Sequence, residues 1–191
     1  MTTELQTLCK EIAIEFKLLP ASLGAFIEVE SGGSGFAKDT GKILIQFEPH
    51  WFKRKVPYAP SGAWSVNKVD VQSKEWIAFN NAFSINPTGA MESTSIGLGQ
   101  IMGFHFKRLG FKSVDEFWDF NKKSLRNQVW CIAKFIATDS NLLTAIKMLD
   151  WHKVAVLYNG AGYKELAKKY GREPYNISLA KAFGKMKVAM G

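Results

Sequence analysis

Cysteine is nearly absent: Cys9 and Cys131 are the two in 191 residues, and neither has a cysteine or histidine neighbour at metal-ligand spacing. That excludes a disulfide framework and a zinc-bound core, so both read as small buried thiols in apolar stretches. Six prolines and sixteen scattered glycines exclude a collagen-like or low-complexity chain, and 47% hydrophobic against 22% charged residues is the balance of a compact, soluble fold. No apolar run reaches the ~18 residues of a membrane span. Met1 to Gln6 lacks the basic segment and apolar core of a signal peptide. His50, His105 and His152 share no ligand-spaced motif, so neither a metal nor a cofactor is expected.

Positive charge is what the chain has in excess. Twenty-five Lys and Arg against seventeen Asp and Glu leave +8, which draws a protein toward anionic polymers: nucleic acid, acidic membrane or acidic cell wall. No recognition motif interleaves the basic positions, so nucleic-acid contact is expected to be non-specific.

Helical periodicity dominates the pattern. Leu5, Leu8, Cys9, Ile12 and Phe16 recur at helical spacing behind Thr3 and Gln6, which have the form of a capping box. Pro20 suits the first turn of a second helix, whose face Leu19, Leu23, Phe26 and Ile27 ends at Ser31-Gly32-Gly33-Ser34-Gly35. Lys42 to Phe47 is the convincing β-run. Later stripes are Trp76, Phe79 and Phe83; Leu125, Val129, Ile132, Ala133 and Ile136; Trp151, Val154, Ala155 and Tyr158; and Leu179, Phe183, Met186 and Met190. The expected fold is mainly α, a single helical domain over residues 1–191 with a small strand or hairpin insertion near residues 43 to 56.

Glu30 lies seven residues after Leu23 and four after Phe26, in line with the apolar face of the second helix, while Glu28 points away from it. A carboxyl at the end of such a face is partly desolvated, which raises its pKa and keeps it protonated near neutrality, as a general acid in glycoside cleavage requires. A helix-terminal glutamate turned to solvent fits the same position.

Glu30-Ser31-Gly32, Gly97-Leu98-Gly99-Gln100-Ile101-Met102-Gly103 and Leu157-Tyr158-Asn159-Gly160-Ala161-Gly162-Tyr163 resemble, in order, the motifs of lysozyme-like muramidases and soluble lytic transglycosylases. In the third, Gly160 replaces the usual alanine. From about Leu19 to Phe183 the chain resembles the phage-type N-acetylmuramidase family, through Glu28 to Phe36, Phe47-Glu48-Pro49-His50 and the two later motifs. The resemblance implies a lysozyme-like helical domain; related proteins often carry an additional peptidoglycan-binding module, for which 191 residues are expected to leave no room. It implies peptidoglycan as substrate and cleavage of the β-1,4 bond between N-acetylmuramic acid and N-acetylglucosamine.

By that resemblance Glu30 is the catalytic acid, and Gln100 lies near the sugar ring. Tyr158 and Asn159 close the far side, with the tyrosine hydroxyl able to hold Glu30 or an acetamide oxygen, and Ser31 orients the turn of the acid. Glu48 is the preferred second carboxylate, ahead of Asp39 and Glu92, and a salt-bridged surface glutamate is its plain alternative. The runner-up activity is lytic transglycosylation, which forms a 1,6-anhydro ring and can use one glutamate twice. A non-catalytic wall-binding protein would tolerate loss of Glu30, and the intact Glu-Ser-Gly argues against it. The expected setting is a monomer made in the host bacterial cytoplasm and released to act on periplasmic peptidoglycan. The anionic outer-membrane surface is a further contact, for which the last stripe with Lys181, Lys185 and Lys187 is a candidate unless it docks on the core.

Overall fold

A computed structural model describes residues 1–66 and 71–191. In chain order its helices are α1 (Thr3–Phe16), α2 (Pro20–Ser31), α3 (Pro49–Lys55), α4 (Gln72–Ile85), α5 (Pro87–Glu92), α6 (Val114–Lys123), α7 (Leu125–Ala137), α8 (Ser140–Lys147), α9 (Trp151–Asn159), α10 (Tyr163–Lys169) and α11 (Tyr175–Met190). The strands are β1 (Ile45–Phe47), β2 (Thr94–Ile96) and β3 (Ile101–Met102). Two compact units emerge, one of Met1–Gly33 with Val129–Gly191 and one of Ser34–Gln128. The mainly helical fold with a small β element expected from sequence is the one observed.

The first unit is built around α2. Every residue from Ala21 to Ile27 is buried, so this helix is enclosed on all sides rather than on one face. Full burial of Leu23, Phe26 and Ile27 contributes about 1.5–3 kcal/mol each. Gly24 allows α11 to approach closely: a Cβ there would meet Met190 Cε at 2.8 Å and Met186 Cγ at 3.1 Å. Leu179, Ala182, Met186 and Met190 are accordingly buried, and the last stripe docks on the core. The start of α1 differs from its expected cap. Thr2, not Thr3, accepts from Leu5 N at 3.3 Å, because Thr3 is already helical. α2 stops at Gly32, which takes φ +59°, a left-handed conformation open to glycine at little cost.

In the second unit the strands form an antiparallel sheet in the order β1-β2-β3, with Ile45 opposite Ile96, Phe47 opposite Thr94, and Ile96 opposite Ile101. The partner of β1 is therefore β2, from the residues just before the Gly97–Gly103 motif, and not a strand from within residues 43 to 56. Pro49 at the first helical position turns the chain into α3 instead. The free edge of β1 is covered by side chains of α4. Gln72 accepts from Ile45 N at 3.0 Å and donates to Ile45 O at 2.8 Å, and Glu75 accepts from Phe47 N at 2.8 Å. Two side chains thus stand in for a fourth strand and leave this edge unavailable for pairing. Cys9 and Cys131 are buried, unbridged thiols.

Candidate active site

Glu30 is the penultimate residue of α2, half-buried where the helix runs out of its core. Its Oε1 accepts a hydrogen bond from the hydroxyl of Tyr175, the first residue of α11. Tyr175 stacks nearly parallel on Tyr158, with ring centroids 6.1 Å apart and 5° between planes. Tyr158 in turn stands edge-on to the buried Phe26 at 5.1 Å and to Phe135 at 5.6 Å. The acid is therefore positioned through an aromatic relay that begins in the core of α2 and returns to its end. Sequence reading missed Tyr175 and looked to Tyr158 for this hydroxyl; Tyr158 supports the ring that supplies it.

Burial pushes the Glu30 carboxyl up from the ordinary 4.5 to about 7, and the Tyr175 hydrogen bond, which favours the ionised form, opposes that shift. Burial and the charge of Glu30 hold Tyr175 well above the usual tyrosine range, so its hydroxyl keeps the proton it donates. With Oε1 engaged as acceptor, Oε2 is the oxygen left to carry a proton when Glu30 is neutral. Glu28, expected off the face that carries Glu30, meets the chain's N-terminus. Its Oε2 is buried and lies 3.6 Å from the amino group of Met1, a charge partner within its own unit.

Ser31 donates to the carbonyl of Ile27 at 3.1 Å and so serves the last turn of the helix that carries the acid. Asn159 ends α9, exposed, at a cavity of about 470 Å³ that Tyr163, Leu166, Tyr170, Arg172 and Tyr175 also line. Glu30, Ser31, Tyr158, Asn159 and Tyr175 thus belong to one unit.

Glu48 and Gln100 belong to the other. Glu48 occupies the N-cap position of α3, where Gln46 Nε2 donates to its Oε1 at 2.9 Å and His50 Nδ1 lies 3.3 Å from its Oε2. Gln100 adopts φ +45°, and its amide is used inside its own turn. It donates to Gly97 O at 2.8 Å and accepts from Ser95 Oγ at 3.0 Å. The turn is pinned by a residue that sequence reading also missed. Buried Gln128 accepts from Leu98 N at 2.9 Å and donates to Asn121 O at 3.1 Å. A Cβ at either Gly35 or Gly97 would run into this amide, which explains the bare backbone at both motif positions. No local signal marks Gln128, because the Leu98 N–H it accepts from lies 30 positions away in the chain.

The sequence model of the Muramidase family, described as N-acetylmuramidase, matches residues 19–187. Among solved structures the chain is similar to the crystal structure of Burkholderia AP3 phage endolysin, at 32% identity and a TM-score of 0.78, covering 97% of this chain and 71% of that one. No curated protein sequence matches the chain.

Proposed function

The chain belongs to the N-acetylmuramidase family and is a peptidoglycan-cleaving enzyme; we propose that it hydrolyses the β-1,4 bond between N-acetylmuramic acid and N-acetylglucosamine with Glu30 as general acid. The observation that carries this reading is the Glu30 carboxyl, raised to about 7 by burial and held by Tyr175. A pKa near the working pH balances the protonated fraction against the driving force for donation. Glu30 delivers its proton to the glycosidic oxygen as the bond to the muramic C1 breaks, and the positive charge developing on the ring is met by the carboxylate left behind. Water then attacks C1 and loses a proton to a second carboxylate.

Glu48, steadied by Gln46 and His50, is our choice for that carboxylate. Asn159 offers an exposed amide to an acetamido group, Tyr158 acts through Tyr175, Ser31 steadies the helix end beneath the acid, and Gln100 acts by shaping its turn. In this reading the protein acts as a monomer on periplasmic peptidoglycan, after synthesis in the host cytoplasm and release.

The mass of soluble fragments released from purified peptidoglycan tests the reaction. Hydrolysis leaves a reducible muramic acid end. Fragments lighter by one water, with non-reducible 1,6-anhydro ends, would replace this reading with transglycosylation.

A further inference from the structure

Two cavities of the first unit flank α11. The larger, of about 470 Å³, has Asn159 and Tyr175 in its wall, and the smaller, of about 300 Å³, reaches Lys181 and Lys185. Val29, Glu173 and Ser178 line both, so the two join into one groove. At one end of this groove stand Tyr175, which holds Glu30, and Val29, its neighbour in α2. Lys185 lies ten positions after Tyr175 on α11, roughly 15 Å along the helix axis.

The charges along the groove do not balance. Its two carboxylates are already engaged: Glu28 lies 3.6 Å from the amino group of Met1, and Glu173 is paired with Lys181 and accepts from Ser178 Oγ at 2.9 Å. Arg172 lines the first cavity and Lys185 the second, both exposed. Among the described residues neither is ion-paired with a carboxylate. Arg172 instead lies over the ring of Tyr170, 5.8 Å from its centroid. Uncompensated charge of one sign in a cleft draws a ligand of the other, and a guanidinium fork matches a carboxylate.

We propose that this groove holds the stem peptide of the muramic acid at which cleavage occurs, with carboxylates of the peptide against Arg172 and Lys185, and that it favours peptide-bearing strands over bare ones. The inference rests on peptidoglycan being the substrate and on Glu30 as the acid. A groove that begins beside the acid receives what the reacting sugar carries. An N-acetylhexosamine ring is neutral and gives neither cation a partner. The lactyl carboxylate of a bare strand is a single anion fixed to its ring, and it cannot serve both cavities. A stem of four or five residues is an extended chain whose carboxylates outnumber its amino group, and at ~3.3–3.6 Å per residue it spans the distance from Tyr175 to Lys185. The exposed side chains of Leu166 and Tyr170 in the first cavity offer apolar surface to the methyl group of its alanine.

Calorimetric binding of the wild-type chain to two disaccharides tests the assignment. Both are N-acetylglucosaminyl-N-acetylmuramic acid, one bare and one carrying a tetrapeptide of L-alanine, D-glutamate, diaminopimelate and D-alanine; neither contains the bond proposed to be cleaved. The tetrapeptide form is expected to bind at least fivefold more tightly. That ratio of Kd values should shrink toward one in Arg172→Gln, in Lys185→Gln, at raised salt, and when the peptide carboxylates are amidated. Arg172→Lys, which keeps the charge, should retain most of it. No binding of the tetrapeptide form, equal binding of the two, or a preference that survives Arg172→Gln and Lys185→Gln together would each overturn the proposal. So would an equal loss of affinity for both disaccharides in these variants, which marks the lactyl carboxylate as the anion. A wild-type chain that releases no fragments from purified peptidoglycan overturns the muramidase reading instead, and the ratio of Kd values still decides this one.

Discussion

At the scale of single residues the proposed chemistry concentrates on Glu30 and its tyrosine. Glu30→Gln keeps size and polarity but carries no transferable proton, so lysis of walls should fall by about 10²–10⁴-fold, the usual range for a general acid, while binding of glycan persists. Glu28→Gln should leave the alkaline limb of the activity profile in place, since Glu28 faces the N-terminus. Tyr175→Phe deletes the bond that favours ionised Glu30. The alkaline limb should therefore move to higher pH, and turnover should drop about tenfold, the equivalent of one hydrogen bond of ~1.5 kcal/mol to a charged group. An unmoved limb in that variant would remove Tyr175 from control of the acid.

The raised carboxyl also has a stability signature. Below 4.5 Glu30 is protonated in both folded and unfolded chains; between 4.5 and about 7 the unfolded chain ionises first, so the native state loses stability as pH rises through this window. Glu30→Gln has no such dependence. Its melting temperature relative to wild type should increase from pH 4.5 to 7 and level off above, as calorimetry across that range would register.

At the scale of elements, the turn between β2 and β3 depends on amides rather than on apolar packing. Gln128→Leu would leave the buried Leu98 N–H without its acceptor, and should destabilise the fold by about 1–3 kcal/mol, read from the denaturant midpoint. Gln100→Ala should act in the same direction, because the lost amide ties Gly97 and Ser95. An equal loss of activity without loss of stability would place the Gln100 side chain on substrate instead. α11 combines two duties. Its buried side chains close the core over α2, and its first residue holds the acid, so events at the helix start and in the core are coupled through one rigid element.

At the scale of the whole molecule, +8 acts on a polyanionic wall. Co-sedimentation with purified walls should weaken as salt rises from 50 to 500 mM, values for which the Debye length falls from roughly 14 to roughly 4 Å. Binding that does not change over this range would mean that contact with the wall is governed by short-range hydrogen bonding and stacking, with net charge playing no part.

Helix existence was legible along the chain because periodicity is local: the stripes at 76–83, 125–136, 151–158 and 179–190 all lie on helices, and Pro20 and Gly32 bound α2 as their backbone preferences demand. Glu30 stood out as a candidate by motif, although the single-face argument for it was too simple, since α2 is enclosed all round. What sequence could not supply were pairings between distant residues. Tyr175 meets Glu30 across 145 positions, Gln128 meets Leu98 across 30, and Gln72 meets Ile45 across 27. Each is a polar group whose need for a partner is fixed by its chemistry but whose partner is chosen only when the chain packs. The sequence alone therefore determined the striped helices, the excess charge and the candidate acid. The tertiary structure decided which hydroxyl holds that acid and how far burial raises its pKa.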